Sequence, residues 1–436
     1  MSPDRIPPAA KDMPRAPDSV AREFLLLALR LDRLAPGLVE SYFGPPELRA
    51  LVDQELPVPA IHLGRAASGL QSGLASSIPE FDRRRWFAAQ LVALEAQALK
   101  LAGDPLAYSD YVSCCFEFLP EHLPESVFDA AADELGRLLP AGPTGNSVTE
   151  RLTAWEDRFI VPSDKLAGIV DWLLGVLRGR TDQFLGLPPD EQASVSLVTG
   201  NPWASRTTYL GHGRSRIDLN TELPFRAHRL ISLVARESYP GHHTQRCWNE
   251  RRLIEEQGRF EATISLINTP EALIRDGLAE VGAALLIPDP LMADLLVELY
   301  ERANLPIAAD KAESRDAADL EVRIGRATSS LKTVPANAAL MLHSEGVPRN
   351  EVAAYLWRYL LTTPDRAHKQ LEFIEHPLHR TSVMALAEGE RLVRRWVEIG
   401  STADHAARLG RLMREQMTPA SLKADLASMG RGSGVW

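Results

Sequence analysis

The run Glu237-Ser238-Tyr239-Pro240-Gly241-His242-His243 sets a carboxylate and two adjacent imidazoles around a Pro-Gly pair. Side chains of these types can hold a divalent ion or move protons. Upstream, Leu230, Leu233, Val234 and Glu237 recur at the spacing of one buried helical face, with Thr221 as a candidate cap and Pro224 in the first turn. A carboxylate on an apolar stripe is costly unless a cation or a hydrogen-bonding network faces it. Pro240 removes a backbone donor and Gly241 permits angles closed to other residues, so the helix is expected to kink there. Such a break can swing His242 or His243 toward the face of Glu237, which regular helical spacing would not do.

A second acidic element follows. Thr269-Pro270-Glu271 reads as an N-cap with Pro at the first helical position, opening a helix that stops before Pro288. Leu273, Asp276, Gly277, Glu280, Ala283 and Ile287 share one face, so Asp276 and Glu280 point inward one turn apart. Like charges so placed need a metal ion, an arginine or a shared proton between them. Together the two segments form a candidate site for zinc or another divalent ion, with His242, His243, Asp276 and Glu280 as ligands. The plain alternatives are a kinked core helix with satisfied histidines and a half-exposed acidic ridge.

At these residues the chain resembles a bacterial family of zinc-peptidase-like proteins, a domain of unknown function marked by His-Glu-x-Tyr-Pro-Gly-His-His. Asn201-Pro202-Trp203, Tyr209-Leu210-Gly211, Gly213-Arg214-Ser215 and Asn220 to Pro224 are similar to the segment before that motif, and Asp276-Gly277-Leu278-Ala279-Glu280 to its later Glu-Gly-Leu-Ala-Glu. The likeness is clearest over 195–290 and continues weakly to about residue 400. It implies a helical metallopeptidase relative in which the first His and a His after Pro-Gly bind zinc, the Glu activates water and a downstream Glu completes the site. The chain departs from the pattern at Arg236, which stands where the first His would stand. Asp276 replaces a Glu, and Leu386 precedes Glu388-Gly389 where the family tends to carry a Tyr.

Arginine offers donors only and cannot ligate a cation. Either Glu237, His242, His243, Asp276 and Glu280 keep an ion in a rearranged shell, or Arg236 supplies the positive charge itself and pairs with Asp276 or Glu280. The second arrangement forgoes metal-bound hydroxide. The leading expectation is a metal-dependent, peptidase-like hydrolase acting on a short peptide or amino-acid-derived metabolite. Glu237 would be its general base, and Arg236 would steady the oxyanion or orient the substrate. The alternatives are a ligand-binding protein that has lost the chemistry and a metal-independent acid/base enzyme of a biosynthetic pathway using Arg236 and Glu237.

Other elements must position these groups. Ser194 to Thr199, Thr207 to Leu210 and Ile217 to Asn220 read as strands around the Gly211-His212-Gly213 turn, giving a small antiparallel sheet beside the motif helix. Tyr209, Arg214, Arg216 and Asn220 are the residues expected to meet substrate, the two arginines sharing a face as a possible carboxylate clamp. Helical periodicity dominates elsewhere, notably over Ala21 to Leu34, Arg83 to Ala102, Pro124 to Leu139, Asp164 to Arg178 and His379 to Ile399. The expected fold is therefore mainly α: a large helical, two-lobed domain around a cleft. A disordered tail is expected at 1–17, an N-terminal helical lobe at 18–190, a catalytic lobe at 191–429 and a frayed end at 430–436, with Pro140 to Asn146 as a hinge.

Over 436 residues the net charge is -10, without a basic tract, which argues against nucleic acid and anionic membranes as partners. No apolar run approaches a membrane span. Three cysteines, two of them adjacent at Cys114 and Cys115, suit a reduced compartment. With no signal-peptide core in the tail, a cytoplasmic location is expected.

Overall fold

A computed structural model describes residues 16–141, 146–201 and 203–432. Most of the expected N-terminal tail, the middle of the expected hinge, Pro202 and the end of the C-terminal segment lie outside the described residues.

The chain is mainly α. It begins with α1 (Ser19–Leu34), β1 (Val39–Tyr42), α2 (Pro46–Gln54), α3 (Ala60–Ser77) and α4 (Phe81–Leu101). Next come α5 (Tyr108–Phe116), α6 (Ser126–Leu138), α7 (Val148–Glu156) and α8 (Ser163–Leu185), then β2 (Gln192–Val198), β3 (Ser205–Gly211) and β4 (Arg214–Asn220). The motif region forms α9 (Ala227–Glu237) and α10 (His242–Asn249), followed by β5 (Ile264–Leu266) and α11 (Pro270–Leu286). The C-terminal helices are α12 (Asp289–Arg302), α13 (Lys311–Ala327), α14 (Val334–His343), α15 (Arg349–Leu360), α16 (Pro364–Glu375), α17 (Ser382–Val397), α18 (His405–Leu412) and α19 (Pro419–Gly432).

Two apolar cores organise these elements. The smaller gathers α1 to α4 with Ile264 and Leu266 of β5 around Phe24, Trp86 and Phe87. The larger joins α5 to α9 with α11 to α18, so the helices before residue 190 contribute to both. Arg83 ties the smaller core to the rest, gripping buried Glu261 through two bonds of 2.7 and 2.9 Å. Paired in this way, each ion offsets the desolvation of the other.

The sheet beside the motif helix has the order β2-β4-β3. β3 and β4 pair antiparallel, as the turn chemistry predicts, whereas β2 joins β4 in parallel. The parallel strand is a difference from the expected sheet; β2 reaches β4 only after the chain has passed through the β3–β4 hairpin, a non-local pairing that local patterning does not encode. Gly211, His212 and Gly213 all take positive φ at the turn, and Glu250 caps it by accepting from the His212 and Gly213 amides at 2.9 Å.

α9 begins later than its cap signal suggested. Thr221 instead donates to the Val198 carbonyl, and the Phe225 carbonyl accepts from the Val161 amide at 2.8 Å, which holds this stretch extended until Arg226. α11 matches its sequence signature: the Thr269 hydroxyl accepts from the Ala272 amide and Pro270 occupies the first turn.

Candidate functional site

α9 ends at Glu237, and the chain turns through Ser238, a cis Tyr239-Pro240 bond and Gly241 before α10 starts at His242. Gly241 is required by contact. A Cβ there would lie 1.7 Å from the Arg236 carbonyl oxygen, because the two helices fold back on each other at this point. The Ser238 hydroxyl donates to the Val234 carbonyl at 2.6 Å, closing the last turn of α9.

The break sends the two histidines in different directions. His242 faces α11, with Nε2 3.6 Å from Oδ1 of Asp276. His243 turns to the sheet: Nδ1 is 2.7 Å from the Ser215 hydroxyl and Nε2 is 2.8 Å from Glu191. Glu191 also accepts from the Tyr239 hydroxyl and pairs with Arg178 at 2.6 Å. His243, expected as a metal ligand, therefore stands apart from Asp276 and Glu280 and is wholly buried. Its serine and carboxylate partners resemble a nucleophile relay, yet all three residues are buried and Ser215 belongs to the central strand of the sheet, next to its first residue.

Arg236 is the centre of the cluster. Its Nη1 lies 2.6 Å from Glu237, its Nη2 3.1 Å from Asp276, and its Nε 3.2 Å from Glu280. One guanidinium thus collects the three carboxylates that the sequence marks as base and ligands. Glu237 is further saturated by the Ser205 hydroxyl at 2.8 Å and the Thr207 hydroxyl at 2.6 Å, both from the face of β3 that meets α9. Glu280 also receives Lys332 at 3.0 Å. Around them Arg275 pairs with Glu40, and Arg246 with Glu271, extending the set of alternating charges.

The electrostatics follow from this packing. Burial works against the charge on Arg236, but Glu237, Asp276 and Glu280 outweigh it and hold the guanidinium more firmly protonated than an ordinary arginine. Burial, together with Arg236, Arg275 and Arg246, drives His242 well below the usual histidine range, so it is neutral. Its Nδ1 is buried and without a hydrogen-bond partner. Asp276 is raised by burial, against the pull of Arg236 and Arg275. Burial also opposes charge on Glu280, but Lys332 and Arg236 prevail and lower it.

The residues as arranged do not fit a divalent ion. Such an ion needs several anionic or imidazole donors turned toward one point. Here the carboxylates are spread over the planar fork of Arg236, and His243 is committed to the sheet. Among the described residues no group of three or more His, Cys, Asp or Glu is placed to share an ion.

The expected substrate contacts are distributed elsewhere. Tyr209 is buried and its hydroxyl donates to Glu250, making it a support of the hairpin turn. The amide nitrogen of Asn220 donates to the carbonyls of Asn201 at 2.9 Å and Trp203 at 3.0 Å, holding that loop to β4. Arg214 and Arg216 do share a face of β4, the one opposite Ser215, and Arg216 pairs with Asp218 at 3.0 Å. They point away from the Arg236 cluster rather than into it. Glu191, Ser205, Thr207, Lys332 and Glu40 were not singled out by sequence. Alternation in β3 could have flagged the two hydroxyls, while Glu191 and Glu40 carry no local signal.

No family model matches this chain, and no curated protein matches it. Two solved structures are similar in outline. One, described as a "putative lipoprotein" from Colwellia psychrerythraea, is 14% identical over 97% of this chain and 78% of its own, with a TM-score of 0.48. The other, described as a "putative lipoprotein" of unknown function from Shewanella oneidensis, is 13% identical over 93% of this chain and 77% of its own, with a TM-score of 0.49. Both descriptions run against the expected cytoplasmic location, which is withdrawn. Among the described residues no helix is long and apolar enough to cross a membrane.

Proposed function

We propose that this chain carries a peptidase-like cleft in which the guanidinium of Arg236 stands in for a metal ion, and that the cleft binds a small amino-acid-derived ligand without hydrolysing it. The observation that carries this reading is the simultaneous pairing of Arg236 with Glu237, Asp276 and Glu280. A hydrolytic base needs a lone pair facing a water and an electrophile that lowers the pKa of that water. Glu237 instead accepts from Arg236, Ser205 and Thr207, which occupies most of its accepting positions. A guanidinium already neutralised by carboxylates is also a weak electrophile. What remains is a charged, ordered floor suited to recognition.

The test is metal analysis of chain purified without chelator, set beside peptide hydrolysis and the Arg236→His variant. The reading expects less than 0.1 zinc per chain in the parent, about one in Arg236→His, and no turnover by the parent. A parent that carries one zinc per chain and cleaves peptides restores the metal-dependent hydrolase and removes this reading.

A further inference from the structure

β2 closes one side of its sheet, and among the described residues no strand pairs with its outer edge. Its register with β4 fixes which main-chain groups look outward. The Gln192 amide donates to the Gly213 carbonyl at 2.8 Å, and the Val198 carbonyl accepts from the Thr221 amide at 2.9 Å. Main-chain groups alternate sides along a strand, so Gln192, Ser194, Ser196 and Val198 serve β4, while Ala193, Val195 and Leu197 turn their amides and carbonyls away from the sheet. None of the 7 residues of β2 is fully buried. Edge strands are ordinarily guarded by a charge, a proline or a bulge. The opposite edge strand, β3, carries Arg206 and a register shift between Tyr209 and Gly211. β2 has no such guard: Gln192–Val198 is uncharged, lacks proline and pairs with β4 in unbroken register.

A second copy laid antiparallel, with a two-fold axis through Val195, matches every outward residue with an outward residue: Val195 with Val195, and Ala193 with Leu197 in both directions. That gives about six main-chain hydrogen bonds. Leu197 continues the face that Ala193 and Val195 turn toward the larger core, yet it is 43% exposed. The pairing seats it beside the small Ala193 of the second copy and carries the apolar face across the join. On the other face Ser194 meets Ser196, and no like charges oppose each other along the strand. We propose that two copies of this chain join edge to edge through β2, making one continuous sheet from two three-stranded ones, with closed two-fold symmetry. The match about Val195 selects a second copy over an unrelated extended segment, which has no reason to repeat it. β2 lies across β4 from β3, the strand whose hydroxyls hold Glu237, so this surface is separate from the Arg236 cluster.

The test is sedimentation of the full chain between about 1 and 100 μM, with hydrogen exchange of residues 192–198 across the same range. Twice the chain mass is expected at the upper end, with the Ala193, Val195 and Leu197 amides protected in the dimer. Two double variants fix the register. Ser194→Glu with Ser196→Lys sets opposite charges across the join, and beside Arg216 and Asp218 of the same chain, and should keep the dimer. Ser194→Glu with Ser196→Glu sets carboxylate against carboxylate and should weaken association at least tenfold. A parent that stays monomeric, leaving the edge to another protein's strand, overturns the proposal. So does a dimer whose three outward amides exchange freely, or equal association of the two variants. Mass and exchange are read on the unaltered chain, so they decide the matter even if a variant fails to fold.

Discussion

Gly277 of α11 and Gly389 of α17 meet backbone to backbone: a Cβ on Gly277 would lie 2.2 Å from the Gly389 carbonyl oxygen, and one on Gly389 would lie 2.5 Å from that of Leu273. The crossing fixes α11 in depth and rotation, and Asp276 and Glu280 flank it. Gly277→Ala should therefore push the helices apart, costing about 3 kcal/mol or more, at the upper end of overpacking effects. Gly179→Ala in α8, where nothing lies within 4 Å, is the control and should stabilise by roughly 0.5–1 kcal/mol. Denaturant midpoints of the two variants against the parent check both signs.

Removing the guanidinium exposes what it holds. Arg236→Met leaves Glu237, Asp276 and Glu280 facing one another without their shared cation, and loss of one partner from such a buried set costs about 3–5 kcal/mol. The loss should shrink on acidification, because protonating Asp276 relieves the repulsion. Asp276 is already raised by burial in the parent, so recovery should begin with that residue. Urea denaturation of the variant at pH 5 and pH 8 measures it; equal deficits at both would show that the carboxylates do not repel.

How much of this could be read from the residues depends on range. α11 was legible to its cap because Thr269, Pro270 and the helical apolar repeat act within one or two turns. The break after Glu237 was legible for the same reason, although which histidine would meet the acids was not: that depends on where the sheet and α11 lie. The start of α9 was misplaced because a non-local bond between Val161 and Phe225 overrides the Thr221 cap. Glu191 and Glu40 stay invisible in sequence, since lone acids in a loop and a short strand become meaningful only once His243 and Arg275 pack against them.

The sheet anchor of His243 should behave as a structural unit. Ser215→Ala leaves Nδ1 of a wholly buried imidazole without its hydroxyl partner, and about 1–3 kcal/mol of stability should go with it. Glu191 is penalised by burial, but bonds from His243 and Tyr239 outweigh this and bring its pKa below the ordinary value. A depressed carboxylate stabilises above its unfolded pKa and loses that contribution as pH falls through the folded one. Glu191→Gln should therefore flatten the acid limb of the stability profile. Thermal melts of parent and variant between pH 3 and 6 test this, and an unchanged acid limb would remove Glu191 from the account.

At the other side of the larger core, Glu321 of α13 gives the opposite sign. It is buried, accepts from the Trp155 indole, and is pushed up to about 8, chiefly by burial and then by Glu156, against the indole bond and Arg226. In the folded chain it holds a proton that the unfolded chain releases near 4.5. Between those values the native state binds more protons than the unfolded one, so stability falls as pH rises and levels off above about 8. The full span is on the order of a few kcal/mol, each pKa unit being worth about 1.4 kcal/mol. Glu321→Gln keeps a neutral side chain of the same shape and should remove the decline, leaving the variant less stable than or equal to the parent below pH 5 and more stable above pH 8. Denaturant midpoints across pH 5 to 9 decide it: parallel curves for parent and variant would mean that Glu321 is ionised in the folded chain and its charge is met by Arg226 and Arg158.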